Sequence, residues 1–172
     1  MINPFKKTYT AEELSTFKFL SGVALFEELS HREMALFLPH LYLRKYAENE
    51  AVFFRGDPSN ALYLVKFGKV SISLDIKDRM ELLTVVSDGQ AFGDNSLLSK
   101  THRIYNSVVL SEEAYLYLIP QVNIEEIFES NPEIKAKMLY AFGQIYNKYT
   151  DNLFSSYKSS RGFINLSDSY LY

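Results

Sequence analysis

The chain has 172 residues, of which 47% are hydrophobic, 23% charged and 15% aromatic, and this composition excludes disorder for most of its length. The length suits a single domain core. The formal net charge of −3 argues against a general nucleic-acid or anionic-membrane surface, because such surfaces depend on summed positive charge. The absence of cysteine excludes disulfides, thiolate nucleophiles and cysteine-ligated metals.

The sequence also argues against a membrane or secretory protein. No apolar run approaches the roughly 20 residues that are needed to span a bilayer. The first fifteen residues carry charged and polar side chains where a signal peptide would have an apolar stretch. We therefore predict a cytoplasmic location and no membrane insertion.

Two helix starts lie within the first forty residues. Thr10 and Glu13 have the spacing of a capping box, in which two side chains satisfy free amide hydrogens reciprocally, and so do Ser30 and Glu33. Gly22 is expected to interrupt the first helical stretch, and Pro39 is expected to end the second. These signals predict helices at the N-terminus.

The hydrophobic period changes to two over residues 41–119, which is typical of half-buried strands. Short strand-like runs, separated by turns that contain Gly and Asp, predict a β-sandwich or barrel. Within residues 70–76 the apolar side chains alternate with Ser71 and Ser73, so we expect both serines to face solvent.

The pattern becomes helical again after Pro120. Asn131 followed by Pro132 predicts the start of a long helix. Its apolar side chains recur every three or four positions, at Ile134, Met138, Phe142, Tyr146, Tyr149 and Leu153. We expect this stripe to pack on the strand domain or on a second copy of the chain. The alternative, in which it covers a bound base, is less favoured. The Ser-rich stretch 155–172 is expected to be mobile or to dock.

One segment, residues 88–107, interrupts the strand pattern with two glycines, an acid and an arginine. Gly93 can adopt a positive φ and let a ligand approach the backbone. Residues 94–96 suit the first turn of a short helix whose free amide hydrogens point at an anion. Arg103 can supply a two-pronged contact to a phosphate. The segment therefore predicts a phosphate-binding site without a metal.

The order of these features resembles the cyclic nucleotide-binding domain of bacterial catabolite activators, protein kinase A regulatory subunits and cyclic-nucleotide-gated channels. The resemblance rests on the turn at Gly56 and Asp57, on Gly68 within residues 62–70, and on residues 89–94 with Arg103 downstream. It covers about residues 20–153.

The resemblance implies a mainly β fold with flanking helices. This is a β-roll, a double-stranded jelly-roll-like sandwich, with N-terminal helices, a short cassette helix and C-terminal helices. Residues 1–19 would form an N-terminal helical extension, residues 20–153 the domain, and residues 154–172 a C-terminal tail.

The resemblance also implies a phosphate-binding cassette, here residues 92–103. An acid in this cassette takes the ribose 2′-hydroxyl, and amides and an arginine take the cyclic phosphate. The ligand-binding residues would be Phe92, Gly93, Asp94, Asn95, Ser96, Arg103 and Ile104. The family normally has Glu at the position of Asp94 and small residues where this chain has Ile104 and Tyr105, and this bulk would narrow the pocket.

Two functions remain open at this point. The first is a stand-alone regulatory module that binds cAMP or cGMP and signals through its C-terminal helix to a partner protein or a second copy. The second is a degenerate fold that no longer binds nucleotide and serves as a protein-interaction scaffold. The nucleotide would be the ligand of the first function. For neither function do we expect a cofactor, because the sequence shows no group of residues with the spacing of metal ligands.

Two further classes of function are not supported by the sequence. We expect no enzyme, since no nucleophile–base pair or paired-carboxylate motif is visible. We expect no DNA binding, because the stretch after the long helix is too short and too poor in basic residues for a helix-turn-helix domain.

Overall fold

The computed structural model describes residues 8–77 and 79–160, with no side-chain description for residues 159 and 160. In chain order its helices and strands are α1 (Ala11–Ser21), α2 (His31–Met34), β1 (Tyr42–Ala47), β2 (Ala51–Phe53), β3 (Ala61–Phe67), β4 (Lys69–Ile76), β5 (Arg79–Ser87), β6 (Ala91–Phe92), β7 (Asn106–Val109), β8 (Glu113–Pro120), α3 (Gln121–Ser130) and α4 (Pro132–Ser160). Short 3₁₀ helices cover Ala24–Phe26, Leu38–His40 and Asp94–Leu97.

Both predicted capping boxes are confirmed. At α1 the Glu13 amide donates to the Thr10 hydroxyl at 3.1 Å, and the Thr10 amide donates to the Glu13 carboxylate at 2.7 Å. Ser30 and Glu33 make the same pair of contacts at α2. Each box satisfies donors that the first helical turn leaves free, which is why the helices begin at these residues.

The ends of the first two helices differ in how well the sequence predicted them. Gly22 caps the C-terminus of α1, as expected. The prediction that Pro39 ends the second helix is wrong, because α2 already stops at Met34 and Pro39 lies inside the 3₁₀ helix Leu38–His40. Proline is tolerated there because the first amides of a helix have no intrahelical acceptor.

Two four-stranded antiparallel sheets form the body of the domain. Their strand orders are β1-β8-β3-β6 and β2-β7-β4-β5. The predicted mainly β fold with flanking helices is therefore confirmed. The side chains enclosed by the strands form one apolar cluster, which includes Val65, Val70 and Leu116. A second cluster joins the helices to β3 and β8.

The prediction that Ser71 and Ser73 face solvent is wrong, since both side chains are buried. The Ser71 hydroxyl donates to the Val108 carbonyl at 2.9 Å. The physical reason is that β4 is a central strand, so the small Ser71 side chain has a larger cross-strand neighbour on each side, Val85 of β5 and Val108 of β7.

Helix α4 begins at Pro132, as predicted, and lies against the domain only over its first half. Ile134 and Met138 are buried, whereas Tyr149 and Leu153 are exposed. The first half is also tied to α2, because the Lys137 ammonium donates to the Glu33 carboxylate at 2.8 Å. The predicted apolar stripe is therefore half covered.

The predicted division of the chain remains a proposal. Its limits, after residues 19 and 153, fall inside α1 and α4. The first seven residues of the proposed extension and residues 161–172 of the proposed tail lie outside the described residues. Within the described part of the chain, no helix is both long and apolar enough to cross a bilayer.

Candidate functional site

The cassette begins with a turn in which glycine is required. Gly93 follows β6 and has φ +69°, so the predicted positive φ is confirmed. A Cβ atom at this position would lie 2.5 Å from Nη1 of Arg103 and 3.3 Å from the Ala61 carbonyl oxygen. A larger residue would therefore combine backbone strain with a clash against the arginine.

The Arg103 side chain enters the space between the sheets, and only 4% of the residue is exposed. Its Nη1 donates to the Gly93 carbonyl at 3.0 Å and its Nη2 to the Ala61 carbonyl at 2.7 Å. The guanidinium carbon lies 4.1 Å from the centroid of the Phe53 ring. The cation is thus held by carbonyl dipoles and by the face of an aromatic ring.

The turn at Gly56 and Asp57 fixes the backbone of Arg103. The Gly56 amide donates to the Arg103 carbonyl, and the Arg103 amide donates to the Asp57 carbonyl, both at 2.8 Å. Gly56 and Asp57, which support the resemblance, therefore position the arginine.

Several buried polar atoms of this region have no hydrogen-bond partner. They are Nε of Arg103 and the hydroxyls of Ser96 and Ser107. Within the described residues no carboxylate forms an ion pair with Arg103. Burial lowers the pKa of the guanidinium, although an arginine remains charged near neutral pH. The site therefore contains a buried cation with unused hydrogen-bonding capacity.

Asp94 is buried and lines a cavity of about 320 Å³ between residues 86–94 and α4. Ile145, Lys148 and Tyr149 of α4 line the opposite side. Burial raises the pKa of the Asp94 carboxyl to about 6, against the lowering effect of hydrogen bonds from the amides of Asp94 and Asn95. Asp94 is therefore the cassette side chain that faces the C-terminal helix.

The amides of Asn95 and Ser96, which are predicted to bind an anion, both have partners within the cassette in this structure. The Ser96 amide donates to the Gly93 carbonyl at 3.1 Å, and the Asn95 amide contacts the Asp94 carboxylate. The physical reason is that the 3₁₀ helix closes its own bond, while the short side chain of Asp94 reaches back to its own turn.

The Asn95 side chain cross-links the cassette. Its oxygen accepts from the Ser59 hydroxyl at 2.9 Å and from Nη1 of Arg103 at 3.4 Å, and its amide group donates to the His102 carbonyl at 2.6 Å. We conclude that Asn95 holds the two ends of the cassette together.

The structure does not bring all of the predicted ligand residues together. Phe92 lies inside the sandwich, where its ring stacks on Tyr63 with centroids 5.2 Å apart. Ile104 is 56% exposed, whereas Arg103 is buried. Gly93, Asp94, Ser96 and Arg103 do converge, but Ile104 does not join them.

Sequence reasoning missed the contact that Tyr105 makes. The Tyr105 hydroxyl accepts a hydrogen bond from the Gly93 amide at 2.7 Å. Its ring packs beside Phe53. We refer to the rings of Phe53, Tyr63, Phe92 and Tyr105 as the interior aromatic cluster. The bulk of Tyr105 was visible in the sequence, but its direction was not.

The family model of the cyclic nucleotide-binding domain matches residues 43–131, about half of the chain and including the whole cassette. The chain belongs to the cyclic nucleotide-binding domain family. This family consists of regulatory binding modules rather than catalytic domains. Among the described residues, no group of three or more His, Asp or Glu side chains could hold a metal ion.

Curated relatives agree with this membership. The cyclic AMP receptor protein of Thermus thermophilus is 31% identical over 100 residues, which are 58% of this chain and 46% of the relative. The cAMP-dependent protein kinase regulatory subunit of Mycosarcoma maydis is 33% identical over 86 residues, or 50% of this chain and 16% of that protein. The chain therefore matches less than half the length of either relative.

A solved structure also agrees with the β-roll of this cyclic nucleotide-binding domain. The crystal structure of the Thermus thermophilus catabolite activator protein superposes with a TM-score of 0.66 at 26% identity. The match covers 77% of this chain and 62% of that chain.

Proposed function

We propose that this domain binds a cyclic nucleotide, cAMP or cGMP, non-covalently at the cassette. Arg103 would contact the cyclic phosphate, and Asp94 would accept a hydrogen bond from the ribose. The observation that carries the proposal is the buried Arg103 guanidinium, which has no carboxylate partner among the described residues and has an unpaired Nε.

The energetics of Arg103 support an anionic ligand. A buried charge is costly unless it is paired, and here the only contacts that replace the lost water among the described residues are with neutral groups: two main-chain carbonyls, the Asn95 side-chain oxygen at 3.4 Å and the rings of Phe53 and Tyr63. A phosphate would supply full charge neutralisation, and the buried, unpaired Nε is a further donor that it would engage once a ligand displaces the groups that cover it. The names of the two relatives, a cyclic AMP receptor and a cAMP-dependent regulatory subunit, favour a cyclic nucleotide as that phosphate.

The cavity beside Asp94 supports a route for the signal. A nucleotide lying between Asp94 and Tyr149 would touch the cassette and α4 at once. A ligand that contacts two elements differently in two arrangements shifts the population between them. We therefore include in the proposal that binding moves α4, and that its exposed residues, such as Leu153, contact a partner protein or a second copy.

Isothermal titration with cAMP and with cGMP tests the proposal. We expect binding by the wild-type chain, and an affinity lower by at least about thirtyfold for Arg103→Ala, because a buried charge contact is lost. Arg103→Lys keeps the charge but loses the planar fork, so it should also bind more weakly. Arg32→Ala, which removes an exposed arginine from α2, is the matched control and should bind like the wild type.

A titration with linear AMP shows whether the cyclic phosphate matters. The absence of heat from both cyclic nucleotides at high micromolar concentration with the wild-type chain would contradict the proposal. Thermal melting of each variant separates loss of binding from loss of folding.

One observation favours the second candidate, a scaffold that does not bind nucleotide. The backbone groups of Gly93 are already engaged by the side chains of Tyr105 and Arg103. For such a scaffold the melting temperature would stay the same with either nucleotide, whereas a ligand of the folded state raises it.

A further inference from the structure

Tyr105 connects the interior aromatic cluster to the cassette backbone. One end of the side chain is fixed by the hydrogen bond from the Gly93 amide to the hydroxyl, at 2.7 Å. The ring is fixed by Phe53, with centroids 5.6 Å apart. The side chain is therefore held at both ends in the described conformation.

Arg103 contacts the other backbone polar group of Gly93, its carbonyl. Arg103 Nη1 donates to the Gly93 carbonyl at 3.0 Å, so both the donor and the acceptor of Gly93 are used by side chains of the chain itself. Gly93 immediately precedes Asp94, the residue proposed to meet the ribose. The cassette is thus closed by internal contacts at the point where a nucleotide sugar would enter.

The chemistry of the Tyr105 hydroxyl matches that of a sugar hydroxyl. Both can accept a hydrogen bond from an amide and donate one to a carboxylate. Burial and the nearby charge of Asp94 raise the pKa of Tyr105, so its hydroxyl stays protonated at neutral pH. The hydroxyl accepts from the Gly93 amide and lies close enough to Asp94 to be affected by its charge, and the ribose 2′-hydroxyl would present the same neutral group there.

We infer that Tyr105 is an internal occupant of the nucleotide site, whose hydroxyl stands in for the ribose hydroxyl and must leave Gly93 before a nucleotide binds. This inference rests on the proposed function. It makes Tyr105 the residue that sets affinity, because only molecules with the side chain displaced are competent to bind, and the apparent dissociation constant rises accordingly.

Affinity measurements on two variants test the inference. Tyr105→Phe removes only the hydroxyl and should bind cAMP or cGMP about threefold more tightly, the equivalent of one net hydrogen bond. Tyr105→Ala also removes the ring and should gain about tenfold, since the ring contact adds to the hydrogen bond. 2′-Deoxy-cAMP should show the same gain with Tyr105→Phe, because the Tyr105 side chain must be displaced whichever nucleotide binds.

Tyr46→Phe is the matched control. Tyr46 is another buried tyrosine of the same apolar cluster as Val65 and Val70, and its hydroxyl interacts with Tyr63 rather than with the cassette. This variant should keep the wild-type affinity. It shows whether removal of any buried hydroxyl from the sandwich changes binding.

Amide hydrogen exchange of Gly93 tests the contact without nucleotide. In the full wild-type chain this amide should exchange slowly, and in Tyr105→Phe it should exchange at least about threefold faster, because its acceptor is gone. Tyr46→Phe should leave the exchange rate unchanged. An equal Gly93 rate in Tyr105→Phe and the wild type would overturn the inference.

The binding outcomes separate this inference from the proposed function. If the wild type binds and both Tyr105 variants bind equally or more weakly, the inference is overturned and the proposed function stands. If only the variants bind, the inference stands and the native chain is not a nucleotide receptor. If none of the chains binds, both are overturned.

Discussion

Arg103 and Asp94 are opposite charges that are buried in one site without forming an ion pair. The arginine donates hydrogen bonds to main-chain carbonyls, and the aspartate accepts hydrogen bonds from main-chain amides. Because burial penalises the charged form of each group, it lowers the pKa of Arg103 and raises that of Asp94 to about 6. The charge of Asp94 therefore changes close to neutral pH.

This burial predicts a pH dependence of stability that belongs to Asp94. The folded state binds the Asp94 proton more tightly than the unfolded chain, whose value is near 3.8, so stability falls as pH rises from about 4 to about 6. Relative to the wild type, Asp94→Asn should gain up to about 3 kcal/mol in unfolding free energy between pH 4 and pH 7.5.

Urea unfolding of both chains at the two pH values measures the effect of Asp94. All other groups titrate in both chains, so the difference between the two pH-dependent changes isolates this carboxyl. Parallel pH profiles for the wild type and Asp94→Asn would contradict the prediction.

Part of the site could be predicted at this scale, and part could not. The positive φ of Gly93 follows from residue type, because few other residues adopt that conformation without strain. The contacts of Arg103 and Tyr105 do not follow, because they depend on how the backbone of Ala61 in β3 and of Gly93 after β6 is placed relative to these side chains. Their side-chain directions are set by packing.

At the scale of elements, the helix starts were the most predictable features. A capping box is a contact between residues three positions apart, so it needs no knowledge of the tertiary fold. The capping boxes at Thr10 and Ser30 are both present in the structure. The burial of Ser71 on β4 was not predictable, because it depends on the strands that flank β4.

Replacement of threonine by alanine at the N-cap of α1 and inside α1 should change the free energy of unfolding in opposite directions. Thr10→Ala removes the cap and should lower the unfolding free energy by about 1 kcal/mol. Thr16→Ala replaces a half-buried β-branched residue inside the helix, whose hydroxyl donates to the Glu12 carbonyl at 3.0 Å, and should raise it by about 0.5 kcal/mol, because alanine has the higher helix propensity. Urea denaturation measures both effects, and a loss of stability at both positions would count against the capping argument.

At the scale of the whole molecule, the N-terminal helix packs into the same core as the C-terminal helices. Phe17 of α1 is fully buried, in one apolar cluster with Ile124 of α3 and Met138 of α4. Its ring stacks on His31 of α2, with centroids 4.9 Å apart. This packing makes α1 part of the folding unit, although the proposed domain limit falls within it.

Truncation of Phe17 tests whether α1 belongs to that unit. Phe17→Ala should lower the unfolding free energy by about 3–5 kcal/mol, because it leaves a large cavity in the core. Leu14→Ala, in the same helix but 46% exposed, should cost less than about 1 kcal/mol. Similar small losses for both variants in urea unfolding would show that α1 is an appendage to the domain.

The sequence by itself determined the local features of this protein. It specified the capping boxes, the turn glycines and the order of helices and strands, because each depends on residue type and short spacing. The resemblance carried by Gly56, Gly68, Gly93 and Arg103 extended this to the family. The cytoplasmic location and the protein partner stay predictions.

Only the tertiary structure decided which groups of the cassette are free. The amide of Gly93 and two donors of Arg103 are engaged by groups that are distant in sequence, whereas Nε of Arg103 and the Ser96 hydroxyl are not. The physical reason is that a hydrogen bond between distant residues depends on the relative placement of whole strands. That placement results from burial of the two apolar clusters, and no local pattern encodes it.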